Sequence, residues 1–226
     1  MLQLLIACCA LLLLTGCVTV SDQQKPAQSD PIAMSEARLA LALSYIEAQK
    51  MTQAKANIDR ALSHAPNYYK AQLSLAYYYE RVNEPTLAQK AYKHALKSNS
   101  NNGYVLNNYG TFLCKQHDYQ QADHYLIMAT KQEGYYLSAN SYENAGLCAL
   151  KDNKPDQAYR YFQHALNHEP QRLQSTLQLI DLDIKRNNLN QAKLRVSELH
   201  QHHQPTPASI ALMMQIEQQN MTPLIK

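Results

Sequence analysis

The fold is decided by a stretch in the middle of the chain, which reads Asn107-Asn108-Tyr109-Gly110-Thr111-Phe112-Leu113-Cys114 and continues to Ala122, Leu126 and Ala129. It predicts a helix, a turn and a second helix. Gly110 stands where the two helices must approach closely, because a larger side chain would push them apart. Ala122 and Ala129 permit the same approach from the second helix, and Leu126 fills the remaining space. The alternation of small and large residues therefore predicts a tightly packed helix–turn–helix unit.

The same alternation recurs along the chain at intervals of about 34 residues, which resembles the tetratricopeptide repeat. The predicted repeats cover residues 35–68, 69–102, 103–136, 139–172 and 173–206, followed by a capping helix at 207–219. A short insertion shifts the phase by two residues before the fourth repeat. Ile180 and Asp183 break the pattern in the fifth repeat. We predict an all-α, right-handed superhelical solenoid of five to six repeats with a C-terminal capping helix.

Composition limits the possible functions. The chain has 226 residues, only five of them glycine, and a formal net charge of +3 that is spread along the sequence. This charge is too weak and too dispersed for a nucleic-acid binding surface. The sequence contains no glycine-rich phosphate loop and no nucleophile elbow. We therefore predict a protein-binding scaffold, with no catalytic residues, no cofactor, no nucleic-acid partner and no small-molecule substrate.

The N-terminal segment predicts export and lipid attachment. The apolar run Leu2–Leu14 is too short to span a bilayer, which requires about 20 residues. It ends in Leu14-Thr15-Gly16-Cys17, which resembles a bacterial lipobox. We predict a signal peptide at 1–16, lipidation of Cys17 and a disordered polar tether at 17–32, ahead of a solenoid at 33–220. Since no Asp follows Cys17, outer-membrane sorting and a periplasm-facing position are expected. The alternative is an ordinary secretory signal with a chance cysteine.

Two cysteines remain in the predicted repeats. Cys114 and Cys148 lie 34 positions apart, late in the first helices of neighbouring repeats. Such helices pack side by side, so the two thiols come within reach of each other, and an oxidising compartment would favour a disulfide. The alternative is a pair of buried free thiols that pack as small apolar side chains.

The nine histidines raise the alternative of a metal-dependent enzyme. His164 and His168 are four residues apart on one predicted helix, and His200, His202 and His203 cluster late in another. A zinc site would also require a third ligand and a defined second shell. Histidines in the last turn of a helix also interact favourably with the helix dipole without any metal. We predict no metal site.

The surface formed by the first helices is the predicted binding groove. Its apolar part comprises Leu39, Leu43 and Ile46 in the first repeat and Leu73 and Tyr77 in the second. Such a groove accepts an amphipathic helix or an extended peptide. Its polar middle comprises Asn107, Asn108, Asn140, Glu143 and Asn144. Two alternatives stay open, namely that the apolar residues only pack the N-terminal end and that the polar residues only bridge repeats.

The order of lipobox, polar tether and repeats, with the motifs Asn107–Cys114 and Glu143–Cys148, is similar to the type IV pilus biogenesis lipoproteins of the PilF/PilW family. The resemblance implies a pilotin, which binds the secretin subunit and promotes its localisation and multimerisation in the outer membrane. It also implies six repeats, and Cys114 and Cys148 match the family's paired cysteines. The alternative is a general periplasmic scaffold that docks peptidoglycan enzymes or envelope assembly machinery.

Overall fold

A computed structural model describes residues 30–221, which form eleven α-helices and no strand. The prediction of an all-α repeat solenoid is confirmed. The helices are α1 Pro31–Glu47, α2 Met51–His64, α3 Tyr69–Arg81, α4 Pro85–Ser98, α5 Gly103–Lys115, α6 Tyr119–Thr130, α7 Ser138–Lys151, α8 Pro155–His168, α9 Leu173–Lys185, α10 Leu189–His202 and α11 Pro207–Met221. Among these described helices, none has the length and apolarity needed to cross a membrane.

The N-terminal boundary differs from the prediction. Helix α1 begins at Pro31, two residues before the predicted start of the solenoid at 33. Proline is well suited to the first turn of a helix, where its missing N–H has no intrahelical partner to lose. The predicted signal peptide, the lipidation site Cys17 and the tether residues up to 29 lie outside the described residues.

The first ten helices form five antiparallel pairs, joined by turns that share one conformation. The residue at the centre of each turn has a left-handed backbone, with φ between 54° and 63°: Gln49, Asn83, His117, Asn153 and Asn187. The following N–H donates to the carbonyl five residues earlier, as Asp118 N does to Leu113 O at 3.0 Å. Asparagine tolerates this conformation better than most residues, which explains three of the five. The spacing of these turn residues reproduces the predicted phase shift before the fourth repeat.

The pairs stack in chain order, and their two helices form different surfaces. The first helices of successive repeats contact one another at α1–α3, α3–α5 and α5–α7. Contacts between neighbouring second helices are weaker or missing within residues 31–221. Elements that come closer together lie on the inner side of a curved stack. We call the surface of α1, α3, α5, α7 and α9 the inner face, and that of α2, α4, α6, α8 and α10 the outer face.

Gly110 lies at the predicted close approach between α5 and α6. A Cβ atom built on it would lie 2.8 Å from Leu126 Cγ and 3.1 Å from the carbonyl oxygen of Ala122. Gly146 occupies the corresponding position in the fourth repeat, where a Cβ would lie 2.6 Å from a ring carbon of Phe162. The small–large rule read from the sequence is therefore confirmed in both repeats.

Replacing Gly110 with valine should destabilise the protein by about 1–3 kcal/mol, the usual cost of overpacking a filled core. One of the obstructing atoms belongs to the backbone of α6, so a change of side-chain rotamer cannot relieve the clash. Urea unfolding followed by circular dichroism measures the effect. Gly134→Ala is the matched control, since a Cβ at this loop glycine meets nothing within 4 Å. The only destabilising effect of Gly134→Ala is that alanine must adopt a left-handed backbone, with φ of +69°. Equal stability of wild type and Gly110→Val would contradict the close approach.

The insertion between the third and fourth repeats contributes a core residue that the sequence pattern did not reveal. Tyr135 is buried, and its ring occupies the space left by the missing side chain of Gly103. Its hydroxyl lies 2.8 Å from the buried Ser141 Oγ. Burial raises the pKa of the Tyr135 phenol, so it stays neutral. The inserted segment thus seals the junction between two repeats.

The fifth repeat departs from the pattern for a structural reason. Asp183 is fully buried on α9, and its Oδ2 accepts a hydrogen bond from Arg195 Nε of α10 at 2.8 Å. Arg195 also donates to the hydroxyl of Tyr159 in the fourth repeat, at 3.3 Å. A buried ion pair therefore takes the place of an apolar contact. The capping helix α11 then covers the fifth repeat, and Thr206 Oγ1 accepts from Ser209 N at its start.

Candidate functional site

Two of the predicted groove residues lie in the core. Leu39 packs against Ala61 and Ala71, and Ile46 packs against Ile58. Both are almost inaccessible to solvent. The prediction that they line an open groove is wrong, and the alternative that they pack the N-terminal end is correct. A solenoid helix is enclosed by its own partner and by the next repeat, so an apolar stripe along it faces the interior first.

Three of the predicted apolar residues form a smaller patch on the inner face. Leu43 on α1 and Tyr77 on α3 occupy the same repeat position and are 43% and 39% exposed. Leu73, one turn before Tyr77, is half-buried against the central core. Helices α1 and α3 contact each other, so these side chains lie on adjacent helices of the inner face. We call Leu43, Leu73 and Tyr77 the inner patch.

The polar middle of the inner face mostly joins repeats together. Asn107 Oδ1 on α5 accepts hydrogen bonds from Ser141 Oγ at 2.9 Å and from Asn144 Nδ2 at 3.0 Å, both on α7. Asn108 is exposed, and its amide donates to Tyr104 O within its own helix. Of these asparagines, Asn108 thus presents its side chain most openly to solvent.

A second polar cluster joins the fourth and fifth repeats. Glu143 accepts two hydrogen bonds from the Arg172 guanidinium, both at 3.0 Å, and a third from Ser175 Oγ at 2.7 Å. Arg172 also donates to Asn140 Oδ1 at 2.9 Å and to Glu169. Burial disfavours the charge of Arg172, but its hydrogen bonds and attraction to Glu143 outweigh this and raise its pKa. These groups are engaged in an inter-repeat network.

Cys114 and Cys148 are joined by a disulfide in this structure, with their Cα atoms 5.8 Å apart. The bond links α5 to α7 and thus fastens the third repeat to the fourth. Both cysteines are buried and belong to the largest core cluster, together with Tyr109, Phe112 and Leu126. The disulfide therefore holds together the same two repeats that Asn107 bridges on the inner face.

The outer face carries an apolar groove that sequence reasoning missed. It lies between α2 and α4, above α3, and has a volume of about 350 Å³. Its lining is mainly apolar, with the basic side chains Lys90 and His94 at one side, and comprises Leu62, Gln72, Leu75, Tyr79, Leu87, Lys90, Ala91 and His94. We call it the outer groove. Its residues come from three helices in two repeats, so no periodicity within one helix could have revealed it.

Four of the five histidines considered as metal ligands contact other groups of the protein: His164, His168, His200 and His203. The ring of Tyr142 stacks on His164 and on His168, with centroid distances of 5.0 and 5.6 Å. Nε2 of His200 lies 2.8 Å from Ser209 Oγ, and Nε2 of His203 lies 2.9 Å from Gln171 O. Among residues 30–221, no three His, Cys, Asp or Glu side chains are grouped as metal ligands.

Comparison with protein families matches two parts of the chain to tetratricopeptide repeat models, at residues 91–124 and 149–216. Such repeats are protein-interaction modules. The matched segments lie within the stacked helix pairs and extend into the capping helix α11.

Among curated proteins, the chain is 37% identical to the type IV pilus assembly protein PilF of Pseudomonas aeruginosa over 172 residues, covering 75% of this chain and 68% of the relative. It is 39% identical to an uncharacterized protein of Haemophilus influenzae over 122 residues, covering 54% of this chain and 68% of the relative.

Two solved structures share the architecture over most of their length. The Pseudomonas aeruginosa PilF structure superimposes with a TM-score of 0.75 and 29% identity, covering 86% of this chain and 88% of that one. PilW, a type IV pilus biogenesis factor, gives a TM-score of 0.70 and 24% identity, covering 81% of this chain and 84% of that one. At this identity, the likeness to PilW shows a shared fold.

Proposed function

The chain belongs to the PilF family of type IV pilus tetratricopeptide-repeat proteins, and we propose that it acts as the pilotin of a type IV pilus secretin. In this role it binds the secretin subunit and promotes its localisation and multimerisation in the outer membrane. The observation that carries the proposal is the match to PilF, which extends along most of both chains.

Membrane attachment is the first part of the proposed mechanism. The lipobox-like sequence ending at Cys17 supports lipidation of that cysteine after removal of residues 1–16. Each buried lipid CH₂ contributes about 0.8 kcal/mol, so several acyl chains on one residue give stable anchoring. The lipid then determines the membrane to which the bound secretin subunit is delivered.

Partner binding is the second part. The inner patch of Leu43, Leu73 and Tyr77 exposes apolar surface on two adjacent first helices. An apolar segment of the secretin that docks there is shielded from water and from other unassembled subunits.

Replacing both Leu43 and Tyr77 with glutamate should weaken secretin binding by at least about tenfold, because two carboxylates would be buried without partners. The corresponding cellular result is loss of SDS-resistant secretin multimers. Leu194→Glu is the matched control, since Leu194 is 52% exposed on α10 and lies far along the solenoid. Normal multimers in the double variant would rule out the inner patch as the binding surface.

A crosslinked pull-down from native membranes, with the lipidated protein as bait, tests the function itself. The proposal expects recovery of an outer-membrane secretin, and loss of its multimers when the gene for this chain is deleted. Recovery of peptidoglycan enzymes, with secretin multimers unchanged after deletion, would instead identify a general envelope scaffold. A Cys17→Ser variant found in the outer membrane in normal amount would exclude the lipid anchor.

A further inference from the structure

The outer groove combines an apolar floor with an adjoining helix that carries several basic side chains. Helix α4, which forms one of its walls, has the sequence Pro-Thr-Leu-Ala-Gln-Lys-Ala-Tyr-Lys-His-Ala-Leu-Lys-Ser and contains no Asp or Glu. Its lysines Lys90, Lys93 and Lys97 and its His94 are all solvent-exposed. Lys90 and His94 line the groove, whereas Lys93 and Lys97 lie outside its lining, on the same exposed side of the helix at a spacing of three to four residues.

The positive charge on this wall is not neutralised by neighbouring side chains. Within residues 30–221, the ion pairs involve other cations, and none includes Lys90, Lys93 or Lys97. Across the groove, Asp59 of α2 is already paired with Lys55, at 2.8 Å. The three lysines of α4 carry a charge equal to the formal net charge of the entire chain, +3.

The apolar floor gives the groove its second binding feature. Leu87 at the start of α4 is 40% exposed, and Leu62, Leu75 and Tyr79 line the space between it and α2. The volume of about 350 Å³ accommodates two or three bulky side chains, as an amphipathic helix inserts at positions i, i+3 or i+4, and i+7. The basic side chains of α4 then favour a partner whose flanking side chains are negatively charged.

We propose that the outer groove is a second docking site, which binds an acidic amphipathic helix of a protein partner. Its apolar side chains occupy the floor formed by Leu62, Leu75, Tyr79 and Leu87. Its carboxylates face Lys90, Lys93, His94 and Lys97. The site is separate from the inner patch, so one partner on each face can be held at the same time.

The test uses residues 18–226 with the disulfide intact. The core residues of the described part all lie between Ser35 and Ile216, so this fragment retains the whole core. The probe is a 16-residue model helix with leucine at positions i, i+3, i+4 and i+7 and glutamate at its exposed positions. Its counterpart has lysine in place of each glutamate. Fluorescence anisotropy of labelled peptides measures binding, and addition of salt should weaken it because exposed charges are screened.

The expected result is binding of the acidic peptide and at least about tenfold weaker binding of the basic one. The triple variant Lys90→Glu, Lys93→Glu, Lys97→Glu should lose at least about tenfold in affinity for the acidic peptide. The control triple Lys131→Glu, Lys151→Glu, Lys193→Glu has the same net charge and should change affinity by less than about threefold, because none of its substituted residues lines the outer groove. Leu87→Glu should abolish binding, whereas Leu43→Glu on the inner face should leave it intact.

Four results would overturn the proposal: no binding of the acidic peptide, equal binding of both peptides, equal losses in the two triple variants, or binding unaffected by Leu87→Glu. Vesicles containing phosphatidylglycerol provide a further arm. If they bind the protein through Lys90, Lys93 and Lys97 while the acidic peptide does not, the surface recognises a membrane instead. The peptide-binding assay tests the outer groove, whereas the formation of secretin multimers tests the inner patch. A negative result in one assay therefore does not decide the other proposal.

Discussion

Replacing Arg195 with methionine should destabilise the protein by about 3–5 kcal/mol, because it leaves the carboxylate of Asp183 buried and unpaired. Asp183 is completely inaccessible to solvent, and its second oxygen, Oδ1, has no hydrogen-bond partner among the described residues. Arg195 is therefore its principal compensation. For Arg195 itself, burial disfavours the charge, but hydrogen bonds to Tyr159 and Asp183 outweigh this and raise its pKa.

The double variant Asp183→Leu, Arg195→Met should recover most of the lost stability. Asp183 occupies the repeat position that holds Tyr79, Leu113 and Ala149 in the preceding repeats. Leucine at 183 therefore restores an apolar side chain where the architecture accepts one. Replacement of a buried ion pair by apolar residues of similar volume is generally neutral or stabilising.

Urea unfolding of the single and double variants measures these changes. Lys185→Met is the matched control, because Lys185 pairs with Asp181 on the same helix and its own side chain is 65% exposed. Such surface pairs contribute about 0–1 kcal/mol. Wild-type stability of Arg195→Met would show that the pair contributes nothing. A double variant as unstable as the single one would show that lost packing of the arginine side chain, and not the unpaired carboxylate, causes the effect.

The parts of the fold that were predictable depend on local steric rules. Gly110 and Leu126 form a contact between two helices adjacent in sequence, so a recurring small–large pattern is sufficient to locate it. The phase shift before the fourth repeat was predictable from the same small–large pattern. Tyr135 was not predictable as a core residue, because it lies in an insertion with no counterpart in other repeats. Asp183 was visible in the sequence as a departure from the apolar pattern. Its partner Arg195 lies on another helix, so the ion pair between them was not predictable.

The binding surfaces were harder to predict, because exposure depends on three helices at once. Leu39, Leu43 and Ile46 form one stripe in the sequence, yet only Leu43 is accessible. The other two face the second helix and the following repeat. The outer groove shows the reverse case, an accessible site with no stripe in the sequence. Three helices each supply only a few of its residues, so no single helix reveals it. Its charged rim was nevertheless present in the sequence of α4, which lacks any acidic residue.

Replacing Cys114 and Cys148 with alanine should lower the free energy of unfolding by about 3–4 kcal/mol, in the chain-entropy model for a loop of this length. The bond closes a sequence separation of 34 residues and joins two adjacent first helices. The unfolded chain gains conformational freedom when this loop opens, whereas the folded repeats keep their other contacts. Among these are the hydrogen bonds of Asn107 to Ser141 and Asn144.

Urea unfolding with and without dithiothreitol distinguishes the crosslink from the packing of the two side chains. Reductant should destabilise the wild type and leave the double alanine variant unchanged. Both cysteines are buried in the central core, so alanine also removes some packing, and the variant should be slightly less stable than the reduced wild type. If reductant has no effect on the wild type although both thiols are shown to be free, the crosslink does not stabilise the fold.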